Sequence, residues 1–203
     1  TTPAWSWVSG EGGGNGTYRY KIRSGNWAQT TALNYTPSSA LSEGTQTLYV
    51  EERDLAGNWS SSGSKSINID ITAPSAPTLT SPANGTYSND TTPTFAWNAS
   101  SGSPVSYEIQ VDDNSNFSSP TWTATSTSTS VTASTLAEGT YYWRVRAKDA
   151  AGNWSSYSAF RTLHIDITAP SVPSLTSPAN GAFMNDTTPS FAWNAPSGSP
   201  VSY

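Results

Sequence analysis

Thr140-Tyr141-Tyr142-Trp143-Arg144-Val145-Arg146-Ala147-Lys148 alternates without a break. Tyr141, Trp143, Val145 and Ala147 fall on one side of an extended chain, and Tyr142, Arg144, Arg146 and Lys148 fall on the other. A period of two with one apolar side is the mark of a strand that buries one face. The neighbouring segments repeat it. Val105, Tyr107, Ile109 and Val111 alternate with Ser106, Glu108, Gln110 and Asp112, and Leu163 and Ile165 alternate with Thr162, His164 and Asp166. Phe95 and Trp97 share one side of a further short strand. Turn formers separate these runs at Ala83-Asn84-Gly85, Ser101-Gly102-Ser103-Pro104, Asp113-Asn114, Glu138-Gly139 and Ala151-Gly152-Asn153. No stretch shows helical spacing. About six to eight short strands, each with one apolar face, predict an all-β fold, an antiparallel β-sandwich.

The text also recurs. Asp70 to Tyr107 returns as Asp166 to Tyr203, differing at Ala76/Val172, Thr78/Ser174, Thr86/Ala182, Tyr87/Phe183, Ser88/Met184, Thr94/Ser190 and Ser100/Pro196. A more diverged copy lies upstream, where Thr1-Thr2-Pro3-Ala4-Trp5-Ser6-Trp7 echoes residues 91–97 and Asp54-Leu55-Ala56-Gly57-Asn58-Trp59-Ser60 echoes residues 149–155. A period of roughly a hundred residues is too long for a solenoid unit and suits a whole small domain. The expected organisation is tandem β-sandwiches: residues 1–70 as a repeat lacking its first strand, 71–166 as a complete repeat, and 167–203 as the first strands of a third. Both ends are expected to fall inside repeats of a longer chain, with strand exchange between copies as the other explanation.

Composition narrows the function classes. With nine Trp and ten Tyr but few aliphatic residues, each core must rest on a few large aromatics. A net charge of −5 without a basic cluster gives nothing to neutralise phosphates, so nucleic acid is not an expected partner. No apolar run approaches the ~20 residues of a membrane span. The absence of cysteine removes disulfides, thiolate metal sites and a Cys nucleophile. The Asn-X-Ser/Thr triplets at Asn15, Asn58, Asn84, Asn98 and Asn153 are expected by chance in so Ser/Thr-rich a chain.

Leu136-Ala137-Glu138-Gly139 with the strand that follows it resembles the penultimate strand and preceding turn of fibronectin type III and bacterial immunoglobulin-like modules. Asp149-Ala150-Ala151-Gly152-Asn153-Trp154-Ser155 and the linker Asp166-Ile167-Thr168-Ala169-Pro170 are similar to those of tandem repeats in large bacterial surface proteins. The resemblance implies a non-enzymatic, extracellular structural protein, a stalk or surface filament within a longer adhesin-like chain. Copies of itself or neighbouring repeats are its expected partners, with a cell-surface glycan as another. The alternative is a glycan-binding array, or a spacer region of a secreted carbohydrate-active enzyme. In the first copy the inward register reads Gln46, Leu48, Val50, Glu52, so Glu52 must lie at the rim or on a bulge.

Side-chain chemistry offers few sites. His164 is the single histidine and falls on the outward side of its strand, so His-based catalysis or metal binding is not expected. Calcium at the repeat junctions is the expected cofactor if there is one, with Asp70, Asp90, Glu138 and Asp166 as ligands and Glu43 joining Asp70. The competing reading makes Asp70 and Asp166 linker residues and Asp149 a turn cap. Trp59 and Trp154 follow a Gly-Asn turn and are expected in the core, with sugar-stacking platforms as the alternative. Outward charges on adjacent strands predict ion pairs, Arg19, Lys21 and Arg23 with Glu51, and Glu108 and Asp112 with Arg144, Arg146 and Lys148. The Thr/Ser-rich run from Thr121 to Thr135 reads as a polar strand pair at a sheet edge, or as a hydroxyl ladder toward ice or glycan.

Overall fold

A computed structural model describes residues 2–196, all of them in strands, turns and loops. Among the described residues no helix is long and apolar enough to cross a membrane. The first copy contains β1 (Trp5–Ser6), β2 (Gly14–Ile22), β3 (Ala28–Thr30), β4 (Asn34–Tyr35), β5 (Gly44–Asp54) and β6 (Gly63–Ile69). The second contains β7 (Thr78–Ser81), β8 (Thr86–Ser88), β9 (Thr94–Asn98), β10 (Ser106–Asp112), β11 (Trp122–Ser126), β12 (Ser130–Thr132), β13 (Gly139–Lys148) and β14 (Arg161–Ile165). In the third stretch β15 (Ser174–Ser177) pairs with β16 (Ala192–Asn194), and Phe191 and Trp193 are exposed. The start of a third strand expected there lies outside the described residues. By internal packing the chain divides into Thr1–Pro74 with Lys148–Trp154, and Ser75–Ala147 with Ser155–Tyr203.

The second copy is a two-layer sandwich. One sheet runs β11-β10-β13-β14-β8 and the other β12-β9-β7. β10 with β11, β13 with β14, β9 with β12 and β9 with β7 pair antiparallel, and β14 with β8 pairs parallel. Alternation does what the sequence predicts: Tyr107, Ile109, Val111, Tyr141, Trp143, Val145, Leu163 and Ile165 turn inward from one sheet, and Leu79, Phe95 and Trp97 from the other. Phe95 packs on Trp143 with ring centres 4.8 Å apart, and Trp97 meets Tyr107 edge-on at 5.4 Å. Each such side chain contributes about 1.5–3 kcal/mol by leaving water, so a handful of aromatics supplies most of the driving force. Val105, expected inward, precedes β10 and is exposed.

The polar run from Thr121 to Thr135 does not form one strand pair. Its first half is the edge strand β11 beside β10, and its second half is the edge strand β12 beside β9, in the other sheet. Each sheet therefore ends on a hydroxyl-rich strand, a poor template for pairing with another chain. Thr94 and Thr132 bond through their hydroxyls at 2.8 Å across the second of these edges.

In the first copy a four-stranded sheet, β3-β2-β5-β6, accompanies the pair β1-β4. Trp5, Tyr18, Leu48 and Gln46 are buried. Gln46 stands where the second copy has Tyr141, yet both polar ends reach the same upstream turn. Gln46 Nε2 donates to the Ser42 carbonyl at 2.7 Å, and Tyr141 Oη donates to the Ala137 carbonyl at 3.2 Å. Two unlike side chains thus reach the equivalent carbonyl, four residues upstream, in the two copies. Glu52 continues the inward register opposite Tyr18 and lies half-buried at the rim, where loop residues receive its carboxylate.

Two of the expected ion pairs form, Arg19 with Glu51 and Arg146 with Glu108. Asp112 does not take part: it is only 2% exposed, and Arg144 gives its guanidinium to Gln110 Oε1 instead. Its register is outward, but the loop after β10 turns back on the sheet, with Phe117 buried and lying 4.0 Å from the Arg144 guanidinium.

Candidate functional site

The linker carboxylates all serve Asp-X-Thr turns. Asp70 Oδ1 accepts the Thr72 amide at 3.1 Å, and Thr72 Oγ1 donates to Glu43 Oε2 at 2.7 Å. The next junction repeats this, with Thr168 N to Asp166 Oδ1 at 3.0 Å and Thr168 Oγ1 to Glu138 Oε2 at 2.8 Å. Asp90 Oδ1 takes both the amide and the hydroxyl of Thr92. The fold brings Asp90 and Asp166 to one end of the second copy: the Asp166 amide donates to the Ser88 carbonyl, and the Asp90 amide to Ser88 Oγ. Gly139 pairs with Ile165, so Glu138 is at that end too. Among the described residues, however, no three acidic or histidine side chains gather as a metal-binding group. The Asp70 carbonyl, within the first compact unit, accepts Asn153 Nδ2 at 3.1 Å.

Trp59 and Trp154 are set by a matching pair of turns. Asp54 and Asp149 cap them, each accepting both the backbone and the side-chain amide of the Asn four residues on, at 2.8–3.0 Å. Gly57 and Gly152 have φ of 95° and 98°, a left-handed conformation that favours glycine. The Asn58 amide and side chain hold the Asp54 carboxyl below its usual range; for Asp149, burial pushes the other way and the hydrogen bonds from Asn153 and Gly152 prevail. Each turn returns the chain so that Trp59 bridges Arg53 and Trp154 bridges Lys148.

These two Trp residues are therefore neither in the buried core nor open platforms. Trp59 is half-buried beneath the Arg19 guanidinium, 4.5 Å from its ring centre, and Arg53 lies at 5.7 Å. Arg19 also stands 4.7 Å from Trp27, and Lys21 is 4.6 Å from the same ring. Lys148 Nζ is 5.2 Å from Trp154. In the second copy Arg144 is 4.0 Å from both Phe117 and Tyr157, and Arg146 is 4.8 Å from Tyr157. Outward cations and aromatics thus interleave along one sheet of each copy, an arrangement worth about 0.5–1 kcal/mol per exposed pair. Sequence reasoning placed the cations outward but could not show that the Trp rings would cover them. His164, outward as expected, stacks on Tyr87 at 4.3 Å and bonds Thr140 Oγ1 through Nδ1 at 2.9 Å.

The first copy also has an open cleft of about 430 Å³ lined by Trp7, Tyr18, Glu52, Arg53, Asn58 and Trp59. Glu52 accepts Ser9 Oγ at 2.7 Å and the Gly10 amide at 2.8 Å, and these bonds, the Ser9 hydroxyl foremost, hold its carboxyl below the usual range. Gly10, in the glycine-rich stretch 10–16, thus supplies a fixed donor. The cleft's aromatic rings are already engaged, Trp59 with Arg19 and Arg53 and Trp7 edge-on with Tyr18.

Residues 78–167 match the Bacterial Ig-like domain family. Exoglucanase B of Cellulomonas fimi is 33% identical over 170 residues, covering 78% of this chain and 15% of that protein. The chain therefore spans a small fraction of the length of this curated relative. The fibronectin(III)-like modules of Clostridium thermocellum CbhA align with a TM-score of 0.49 and 13% identity, over 81% of this chain and 85% of theirs. The FN1-FN3 domains of chicken CNTN1 align with a TM-score of 0.43 and 14% identity, over 79% of this chain and 66% of theirs. The segment that matches the Bacterial Ig-like domain family coincides with the complete sandwich of the second copy, β7 to β14, and with its inward aromatics.

Proposed function

We propose that this chain is a non-catalytic, extracellular spacer, a run of stiff sandwiches that holds other domains of a secreted carbohydrate-active protein apart. The observation that carries this reading is the extent of the likeness to exoglucanase B. It takes in most of this chain but a small part of that protein. The side chains fit the role. The carboxylates at the junctions are spent on turns, the single His is stacked on Tyr87, and the two candidate platform Trp residues lie against cations. Proline at Pro74, Pro77, Pro170 and Pro173 braces the linkers against bending. The relative's name moves the reading from a surface filament toward a spacer; neighbouring repeats remain its expected partners.

Co-sedimentation tests this. The purified chain is mixed with insoluble cellulose, xylan and chitin, and the supernatant is assayed. A spacer stays in solution with all three and releases no sugar. Retention on one of them, abolished by Trp59→Ala or Trp154→Ala, would establish the glycan-binding array instead.

A further inference from the structure

The loop that leaves β10 carries oxygen donors that a spacer role does not use. Asp112, Asn114 and Asn116 occupy alternate positions, with Asp113 between the first two. Asp112 is 2% exposed, and its Oδ2 has no hydrogen-bond partner among the described residues. A carboxylate oxygen shielded from water and left without a donor is costly, and it calls for a ligand. The nearby cation does not answer it, because the Arg144 fork is committed to Gln110 and its face to Phe117 and Tyr157.

We propose that Asp112, Asn114 and Asn116 form a binding site for a hard divalent cation, calcium. The donors are all oxygens, a set that suits calcium or magnesium and not the softer metals. Their order, Asp-X-Asn-X-Asn, is that of the first three ligand positions in a twelve-residue calcium loop. The sixth position, where such loops turn sharply, is Phe117, with φ of 54°. Asn114 Oδ1 already accepts the Asn116 amide and Asn116 Oδ1 the Ser118 amide, and each amide oxygen keeps a second lone pair. Backbone carbonyls and water would complete the shell, as they do in flexible calcium sites.

Charge sets the strength. Asp112 and Asp113 are the carboxylates, the twelfth position is Thr123 instead of Glu, and Arg144 lies close by. Dissociation constants on the order of 10⁻⁴–10⁻³ M are expected, the range of extracellular modules. The first copy has Arg23-Ser24-Gly25 at the matching place and serves as an internal control without a site.

Calorimetric titration of calcium chloride into the calcium-free chain, with magnesium chloride in parallel, tests this. One saturable calcium site is expected, weaker or absent for magnesium, and a tenfold excess over Kd should raise the melting temperature by roughly 5–10 °C. Asp112→Asn should weaken binding at least about tenfold. If that variant fails to fold, Asn114→Ala with Asn116→Ala, both in the exposed stretch, should lose binding while keeping the calcium-free melting temperature. No saturable heat up to about 10 mM calcium, or equal binding by the parent and the double variant, would overturn the assignment.

Discussion

Glu52 fills the space that a side chain on Gly14 would need: an added Cβ there would collide with its Oε1, Cδ and Cγ. Glycine at residue 14 and glutamate at residue 52 are therefore a matched pair, and the second copy, with buried Ala147 at the position of Glu52, does without it. Gly14→Ala should push the Glu52 carboxylate off Ser9 and Gly10 and lower the denaturation midpoint of the first copy. Glu52→Ala in the same chain should recover most of that loss. Denaturant melts of the two single variants and the double variant measure the coupling, and additive effects would mean the two residues are independent.

Arg161 fastens the start of the second copy to its last strand. Nη1 donates to the carbonyls of Thr80 and Pro82 at 2.9 and 2.8 Å, and Nη2 to that of Leu79 at 2.6 Å. Three carbonyls served by one guanidinium cannot be replaced by an apolar chain of equal length. Arg161→Met should cost about 1.5–3 kcal/mol, read as a lower denaturation midpoint with an unchanged slope.

The outward network around Glu108 makes stability depend on pH in a stated direction. Burial works to raise the Glu108 carboxyl, but the Tyr157 and Arg146 hydrogen bonds and the charges of Arg146 and Arg144 outweigh it and hold it below the ordinary 4.5. A depressed carboxyl contributes stability that is full above its unfolded value and is lost as pH falls through the folded one. The deficit of Glu108→Gln, about 0.5–1 kcal/mol near neutrality, should therefore shrink steadily as the pH falls below the ordinary carboxylate range.

Tyr157 reports on the same network from the alkaline side. Burial first, and then donation to Glu108, push its hydroxyl from 10.0 up to about 12. Its contribution is present below pH 10 and is lost as the pH rises toward 12. Difference absorbance between the parent chain and Tyr157→Phe should show this phenol ionising near pH 12. Ionisation near the ordinary 10.0 would contradict the burial and the bond to Glu108.

What could be read from sequence follows the strength of the alternating pattern. Tyr141, Trp143, Val145 and Ala147 announced their buried face because every second side chain is apolar, and packing obeys that period. The run from Thr121 to Thr135 turns only Trp122, Ala124, Val131 and Ala133 to the core, too sparse a pattern to mark where the chain would leave one sheet for the other. Trp59 and Trp154 share a turn motif whose geometry was legible, but the cations that face them come from strands distant in sequence. Asp112 continued an outward register correctly, and its burial comes with the loop after β10, whose Phe117 is itself buried, a feature the alternating pattern does not carry.

Stretching single molecules of the chain tests the spacer account most directly. A module that keeps its length under tension must resist until its sandwich breaks as one cooperative unit. The complete copy, about 90 residues at ~3.5 Å each when extended, should lengthen in one discrete step of roughly 300 Å. Smooth extension without such a step would contradict the account, because a repeat that yields gradually cannot hold domains at a fixed separation.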